Sequence, residues 1–185
     1  MDIDLSRVVF DSAMLYYGKF DLTNADNLIS SLEGKEMALS DGGVTFTSTP
    51  EIRQIAVAGS LGRKMKGFEV IVKNDGKIEG EVIPINQSLL EMSLMKKDTS
   101  YTSNKYDKYK PSVGFIKDSQ YQDLLLVGTT ASDESIIILM ENTYNTSISL
   151  STKDKEEGKT KISFENAYDP KTKNEGISVY IPKSE

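Results

Sequence analysis

The side chains that most often perform chemistry in proteins are missing from this sequence. Its 185 residues include no histidine and no cysteine. This excludes a Ser-His-Asp triad, disulfides and thiolate metal sites, and it removes the usual general base near neutral pH. The acidic pairs Asp133-Glu134 and Glu156-Glu157 offer oxygen ligands for calcium, but no EF-hand spacing surrounds them. The composition therefore favours a protein with no metal, no cofactor and no catalytic role.

A glycine-rich basic segment is the nearest approach to a phosphate site. The run Gly59-Ser60-Leu61-Gly62-Arg63-Lys64 lacks the six-residue spacing and the terminal Ser or Thr of a phosphate-binding loop. We interpret Arg63, Lys64 and Lys66 instead as a basic interface that faces an acidic neighbour, for instance glutamates on an adjacent subunit.

A polar, tyrosine-rich run extends from Asp98 to Gln120 and has little periodicity. Loops of this length are uncommon in a compact domain unless they are functional or disordered. Its alternating aromatic and basic side chains suit a protein interface, a platform for single-stranded nucleic acid, or a mobile surface loop. We favour the interface. The side chains concerned are Tyr101, Lys105, Tyr106, Lys108, Tyr109 and Lys110.

The charge and hydropathy of the whole chain narrow the classes further. The net charge is −6, which argues against a protein that grips nucleic acid but not against a surface that nucleic acid slides past. No apolar run approaches the roughly 20 residues that span a bilayer. The first residues, Met1-Asp2-Ile3-Asp4, are acidic where a signal peptide would be basic. We expect a single domain over residues 1–185, made in the cytosol, with no membrane partner.

Two short helices are predicted among strands. Thr23 to Asp26 matches a capping box, an apolar stripe from Ala25 to Leu32 follows it, and Gly34 marks the end. Asn86 is expected to cap a second helix, which should extend over Gln87–Lys97.

The region from Phe68 to Ile85 predicts a hairpin with a three-residue turn at Asn74-Asp75-Gly76. That register places Glu69 across from Glu81, with Glu79 on the same face. Like charges directly opposed on paired strands are unfavourable. Such a face must be well solvated, meet cations from a neighbouring subunit, or line an acidic channel.

Further strand-like segments fill the second half, at 124–127, 136–140, 144–150, 162–164 and 177–181. In total the sequence predicts about nine or ten strands and two helices, with no βαβ rhythm. The predicted fold class is therefore mainly β: an antiparallel β-sandwich or barrel with one or two short α-helices packed on it.

The order of these parts resembles the major tail tube protein of long, flexible-tailed (siphovirus-like) bacteriophages. The similarity continues into the last strands, and it covers most of the chain. The matching features are a Gly42-Gly43 turn, Pro50-Glu51-Ile52-Arg53, an apolar strand closed by Gly59, a basic loop ending at Lys66-Gly67, a hairpin running into Glu79-Gly80-Glu81, and Phe164 to Pro170 followed by a strand to Pro182.

The resemblance implies a tail-tube type of sandwich whose subunits form hexameric rings, stacked into a hollow tube through which the genome passes. It also implies an electronegative lumen, for which Glu69, Glu79 and Glu81 are the candidates, and an inter-subunit arm at about 98–120. The implied partners are other copies of the chain, tape-measure and tail-end proteins, and double-stranded DNA in transit. The implied location is the virion tail, with assembly in the host cytoplasm.

Three alternatives remain at this point. A tube protein of a contractile tail or of a secretion-type system shares the sandwich and the hexamer. A non-catalytic β-sandwich binding module, at a surface or secreted, belongs to a different functional class. A carboxylate hydrolase is the third, because the spacing of its two acids depends on the three-dimensional fold.

Overall fold

The computed structural model describes residues 13–183 except residues 57, 60–61, 84, 131–133 and 153–157. Nine strands and two short α-helices are found in this part of the chain. The helices are α1 (Ala25–Ser30) and α2 (Gln87–Met92), and a 3-10 turn spans Asp118–Gln120. The strands are β1 (Met14–Gly18), β2 (Glu36–Gln54), β3 (Glu69–Ile83), β4 (Met95–Lys97), β5 (Tyr109–Pro111), β6 (Gln122–Thr129), β7 (Ser135–Ser151), β8 (Lys159–Asn166) and β9 (Ile177–Tyr180).

Six strands close into an antiparallel barrel. Their order is β6, β1, β2, β3, β8 and β7, and β7 pairs back with β6. The long β7 makes this closure possible, because Thr143 pairs with Gln122 of β6 on one edge and with Asn166 of β8 on the other. β9 extends the sheet beside β7, whereas β4 and β5 form a separate two-stranded ribbon. The predicted mainly antiparallel β fold with two short helices is confirmed.

Alternating side chains fill the barrel. On β3, Ile78 and Val82 are fully buried while Glu79 between them is exposed, as the period of two in a strand requires. The main core cluster combines residues from every strand of the barrel and from α2. Its members are Leu15, Met37, Ala38, Ile78, Val82, Leu89, Met92, Leu124, Leu126, Met140, Ile162 and Phe164.

Helix α1 covers a second, smaller core. Leu28 and Leu32 pack there with Leu125, Ile137 and Leu139. The helix was predicted correctly, but its cap was not. Asn24 accepts a hydrogen bond from the Asn27 amide at 2.8 Å, whereas the Thr23 hydroxyl donates to Asp21.

Helix α2 begins as predicted, with the Asn86 side chain accepting from the Leu89 amide at 2.9 Å. It ends at Met92 rather than at Lys97. Leu94 adopts a positive φ of 57°, which turns the chain away so that residues 95–97 become β4. Lys96 and Lys97 therefore lie in a strand and not at a helix end.

The predicted hairpin turn at Asn74-Asp75-Gly76 is wrong. β3 passes straight through these residues, because β2 is long enough to offer them partners, and Gly76 pairs with Ser48. Gly76 is needed for space and not for a turn, since a Cβ there would lie 2.8 Å from the Ile177 side chain. Glu69 consequently does not face Glu81. The two glutamates lie twelve residues apart on the same strand, β3, and Glu69 pairs with Gln54 of β2.

The predicted Gly42-Gly43 turn is also absent, because β2 continues through both glycines. The β2–β3 register shifts between Ser40 and Val44, and Gly43 has a φ of +101°. These features indicate a bulge, which strands accommodate at glycine. In the part of the chain that the structure describes, no helix is long and apolar enough to cross a bilayer.

Candidate assembly surfaces

The β2–β3 hairpin extends well beyond the barrel. β8 accompanies β3 only from Lys77 onward, where Thr47 is the β2 partner. We call the remainder, residues 48–76, the projecting ribbon. Over this length neither β2 nor β3 has a second strand partner among the described residues. Except at Asn74 and Gly76, whose amides donate to side chains near the barrel, both outer edges thus carry backbone groups without a strand partner, which are templates for further strand pairing.

Apolar side chains cover the projecting ribbon. Ile71 is 65% exposed, although surface-exposed strands usually carry polar residues there. An isolated two-stranded hairpin is only marginally stable in water, and exposed apolar patches of this kind are typical of interaction surfaces. The exposed apolar residues are Ile52, Ile55, Met65, Phe68, Val70, Ile71 and Val72.

Hydrogen bonds fix the projecting ribbon where it leaves the barrel. The Asn166 side chain accepts from the Gly76 amide at 2.8 Å and donates to the Glu175 carbonyl. The Glu175 carboxylate accepts from the Asn74 amide at 3.3 Å. The direction of the ribbon is therefore set by β8 and by the loop before β9. The sequence analysis missed this junction.

The predicted basic interface lies at the tip of the projecting ribbon. Arg63, Lys64 and Lys66 are all exposed. The tip folds back on the strands, since Gln54 Nε2 donates to the Arg63 carbonyl at 2.6 Å and the Ile55 amide donates to the Phe68 carbonyl at 2.8 Å.

Two of the three predicted lumen carboxylates share the outer face of the barrel. Glu79 lies 2.8 Å from Lys77, and this hydrogen bond lowers the pKa of the Glu79 carboxyl. Glu81 lies 3.6 Å from Lys161 and 3.8 Å from Lys159. The face is thus mixed in charge rather than purely acidic. Its other side chains are small and polar, as the paired strands bring together Thr45, Glu79, Ser163 and Ser147 in one row.

The predicted arm contains an ordered hairpin. Met95–Lys97 pairs with Tyr109–Pro111, and Asp98 ties the turn together. The Asp98 carboxylate accepts from Ser100 Oγ at 2.6 Å and lies 2.7 Å from Lys110 and 3.9 Å from Lys108. Hydrogen bonds from Lys110 and Ser100 hold the pKa of the Asp98 carboxyl well below its usual range.

The aromatic and basic side chains of the arm divide into two groups. Lys108 lies over the Tyr101 ring at 5.4 Å, and the Tyr109 hydroxyl is buried without a hydrogen-bond partner. Lys105 and Tyr106 point outward, with Tyr106 73% exposed. The arm therefore offers fewer free cations than its sequence suggests, which weakens the nucleic-acid interpretation.

A groove of about 880 Å³ separates the arm from the barrel. Met92 and Met95 form part of its lining, and Val113 and Phe115 stand on its rim with fully exposed side chains. Lys35, Lys96 and Lys117 also line it. This groove was not predicted from the sequence, although a phenylalanine, Phe115, within a polar run was a signal for it.

Within the described ranges, no group of three or more acidic side chains is arranged to hold a metal ion. Asp133, Glu156 and Glu157 lie outside the described residues.

No protein-family model matches the sequence, and no curated protein matches it. Among solved structures, the chain is similar to one described as the virion of a native gene transfer agent (GTA) particle. The identity is 11% over 90% of this chain and 95% of that chain, with a TM-score of 0.47. It is also similar to a crystal structure of an Hcp protein, at 14% identity over 84% of this chain and 88% of that chain, with a TM-score of 0.36. At these TM-scores neither likeness establishes what this chain does.

Proposed function

We propose that this chain is a non-catalytic structural subunit that assembles with copies of itself into the tube of a phage-like tail. Its subunits form hexameric rings, the rings stack into a hollow cylinder, and double-stranded DNA passes through the lumen into the host. This is the function implied by the resemblance of its sequence to siphovirus-like tail tube proteins. The chain acts in the virion tail and assembles in the host cytoplasm.

The projecting ribbon is the observation that carries this proposal. It combines two unpaired strand edges with seven exposed apolar side chains, and the barrel that it leaves is already closed. Since no described strand of its own chain pairs with these edges, we assign the partner to another copy of the chain. β3 is the better template for strand addition, because Pro50 removes a backbone donor from β2.

The outer face around Glu79 and Glu81 suits the lumen. Serine and threonine hydroxyls give it little apolar surface, and Lys77, Lys159 and Lys161 are each paired with Glu79 or Glu81. DNA phosphates would find few lysines free to bind them on such a face. In this arrangement Glu69 lies on the ribbon and not in the channel.

The arm, at about residues 98–120, reaches a neighbouring subunit or ring through Lys105 and Tyr106. Tyrosine provides a large contact area at small entropic cost. Tape-measure and tail-end proteins would then meet the finished tube from inside and at its ends.

Negative-stain electron microscopy of the purified protein tests the proposal directly. We expect rings or hollow tubes above a threshold concentration. Isolated particles of monomer size at every concentration would overturn the self-assembly and favour a β-sandwich binding module. The groove beside the arm is the observation that favours this second candidate, whose ligand would be sought on peptide and glycan arrays.

The symmetry and surroundings of the tubes would separate the remaining tube classes. A contractile tail or a secretion-type system also builds hexameric tubes, but a contractile tail carries a sheath. Tubes with a bound sheath in the native particle would replace the siphovirus-like assignment without changing the role of the subunit.

A further inference from the structure

The charge of this protein is strongly segregated. The tip of the projecting ribbon, residues 55–68, contains Arg63, Lys64 and Lys66 and no carboxylate, although the chain has a net charge of −6. No carboxylate among the described residues lies within ion-pair distance of these three cations. The tip is also apolar, since Ile55 and Phe68 are 45% and 38% exposed.

The cations of the tip lie too far from the barrel of their own subunit for carboxylates of that barrel to neutralise them. Seven residues of β2, Ser48–Gln54, separate the tip from the last position at which β2, β3 and β8 are all paired. At about 3.3 Å per residue this is roughly 23 Å, more than two Debye lengths at physiological salt. Its complement is therefore a surface on another molecule that is both acidic and apolar.

The outer face of α1 is such a surface on a second copy of the chain. Leu28 and Leu32 face the core, which leaves Ile29 46% exposed and Leu22, just before the helix, 36% exposed. Asp26, three residues before Ile29 and therefore its neighbour on the helix surface, is also exposed.

The charges around this face are acidic and uncompensated. Glu33 and Glu36 follow the helix, and neither they nor Asp26 has a cation within ion-pair distance among the described residues. The two lysines nearby are engaged: Lys19 pairs with Asp123 at 3.3 Å, and Lys35 donates to the Lys19 carbonyl and lies over the Phe20 ring.

The other exposed carboxylates fit the tip less well. Glu79 and Glu81 already pair with lysines of their own chain. The groove beside the arm is apolar, but Lys35, Lys96 and Lys117 make it basic. Glu69 is also exposed beside Val70 and Ile71, but it lies on the same ribbon as the tip. The α1 face, in contrast, combines carboxylates that have no ion pair among the described residues with exposed aliphatic side chains at a distance from the tip along the chain.

We propose that the ribbon tip of one subunit docks on the outer face of α1 of a neighbouring subunit. Arg63, Lys64 and Lys66 meet Asp26, Glu33 and Glu36, while Met65 and Phe68 cover Leu22 and Ile29. This inference rests on the proposed self-assembly and names the partner surface within it. Because tip and α1 face are different surfaces of one chain, the contact is heterologous and propagates from copy to copy.

Charge reversal with rescue tests the contact. The tip variant Arg63→Glu/Lys64→Glu/Lys66→Glu should raise the threshold concentration for assembly by roughly tenfold or more, because like charges then meet across the interface. Adding Asp26→Lys/Glu33→Lys to the same chain should restore assembly. Lys171→Glu/Lys173→Glu/Lys183→Glu reverses the same number of charges on exposed lysines outside both surfaces; it is the matched control and should assemble as the unmodified protein does. Sedimentation gives the threshold, and circular dichroism checks that every variant is folded.

A cross-link provides an independent measurement. The chain has no cysteine, so Met65→Cys and Ile29→Cys, carried on separate molecules, can form a disulfide only with each other or with themselves. We expect covalent dimers in the oxidised mixture and not in either variant alone, because a disulfide needs Cβ atoms within about 4.5 Å.

The outcomes separate the two levels of the proposal. Failure of the unmodified protein to assemble would contradict the proposed function. Two results would overturn the docking without contradicting self-assembly of the unmodified protein. One is assembly of the tip variant at the normal threshold. The other is a loss of assembly that the α1 substitutions do not restore, combined with the absence of a mixed disulfide.

Discussion

At the residue scale, close packing around Gly76 explains why the predicted turn at Asn74-Asp75-Gly76 was wrong. Asn74-Asp75-Gly76 has the composition of a turn, but Gly76 is buried in an extended strand against Ile177. Sequence patterns identify where glycine occurs and not whether its flexibility or its small size is needed. The Asn86 cap was predictable because its evidence is local, whereas Asn24 and Thr23 are equally good caps by composition.

Replacing Gly76 with alanine tests this packing. Gly76→Ala places a Cβ 2.8 Å from Ile177 Cδ1 and should lower the free energy of unfolding by about 1–2 kcal/mol, as overpacking does. Ile177→Val removes that Cδ1, so the double variant should recover part of the loss. Chemical denaturation measures the free energy of unfolding of both single variants and of the double variant. Gly158→Ala is the control, since a Cβ there would approach nothing closer than 3.6 Å. A neutral or stabilising Gly76→Ala would mean that the glycine has no packing role.

Asp98 makes the arm sensitive to acid. The pKa of its carboxyl is lower in the folded arm than in an unfolded chain. The ionised form therefore stabilises the arm above about pH 3.9, the ordinary value for Asp, and this contribution is lost as the pH falls through the lower folded pKa. We expect the Ser100 amide resonance to titrate below pH 3.9 and to lose this inflection in Asp98→Asn. An inflection at the ordinary value would show that Lys110 and Ser100 do not hold the carboxylate.

At the element scale, the barrel strands were predictable and the extensions were not. β8 alternates because Ile162 and Phe164 meet the main core, whereas β6 runs apolar because Leu124 and Leu126 meet the main core and Leu125 meets the second core on the opposite face. The projecting ribbon is different, because its apolar residues are exposed on both strands although their sequence pattern is that of a buried hairpin. The strands of the short β4–β5 pair have only three residues each, too few to show an alternating pattern. In the sequence Met95–Lys97 therefore resembles the end of the preceding helix, and Tyr109–Pro111 resembles part of a loop.

Shortening the arm tests its role in assembly. Lys97 pairs with Tyr109, so replacing residues 98–108 with Asn-Gly should close a tight hairpin and leave the barrel unchanged. We expect a folded subunit that assembles poorly, because Tyr106 and Lys105 are removed. Thermal unfolding and sedimentation separate these two properties. Normal tubes from the shortened chain would show that the arm is not an inter-subunit element.

At the scale of the whole molecule, the lumen face can be tested by its charge. Glu79→Lys/Glu81→Lys adds cations beside Lys77 and Lys161 and should let tubes form while hindering genome delivery, since exposed cations retain phosphate. Glu79→Gln/Glu81→Gln is the control, because it removes negative charge without adding positive charge, and should have the smaller effect. Infectivity per assembled particle is the measurement. Equal infectivity of the lysine variant and the unmodified protein would place these residues outside the lumen.

The arrangement of the whole molecule is what could not be predicted from the sequence of this protein. A chain reveals which of its faces are apolar, but whether an apolar face is buried inside one subunit or between subunits depends on closure of the barrel. Here β7 pairs with both β6 and β8, which closes the barrel and leaves the projecting ribbon outside it.

Hydrogen exchange in assembled and unassembled protein is the most direct measurement of that central claim. We predict that the outer-edge amides of residues 48–49, 51–54 and 69–73 exchange rapidly in the monomer and become protected on assembly, whereas barrel amides such as those of β6 change little. The amides of Asn74 and Gly76 are left out, because Glu175 and Asn166 already accept hydrogen bonds from them. Unchanged exchange of the ribbon in assembled particles, or the absence of assembled particles under all conditions, would contradict it.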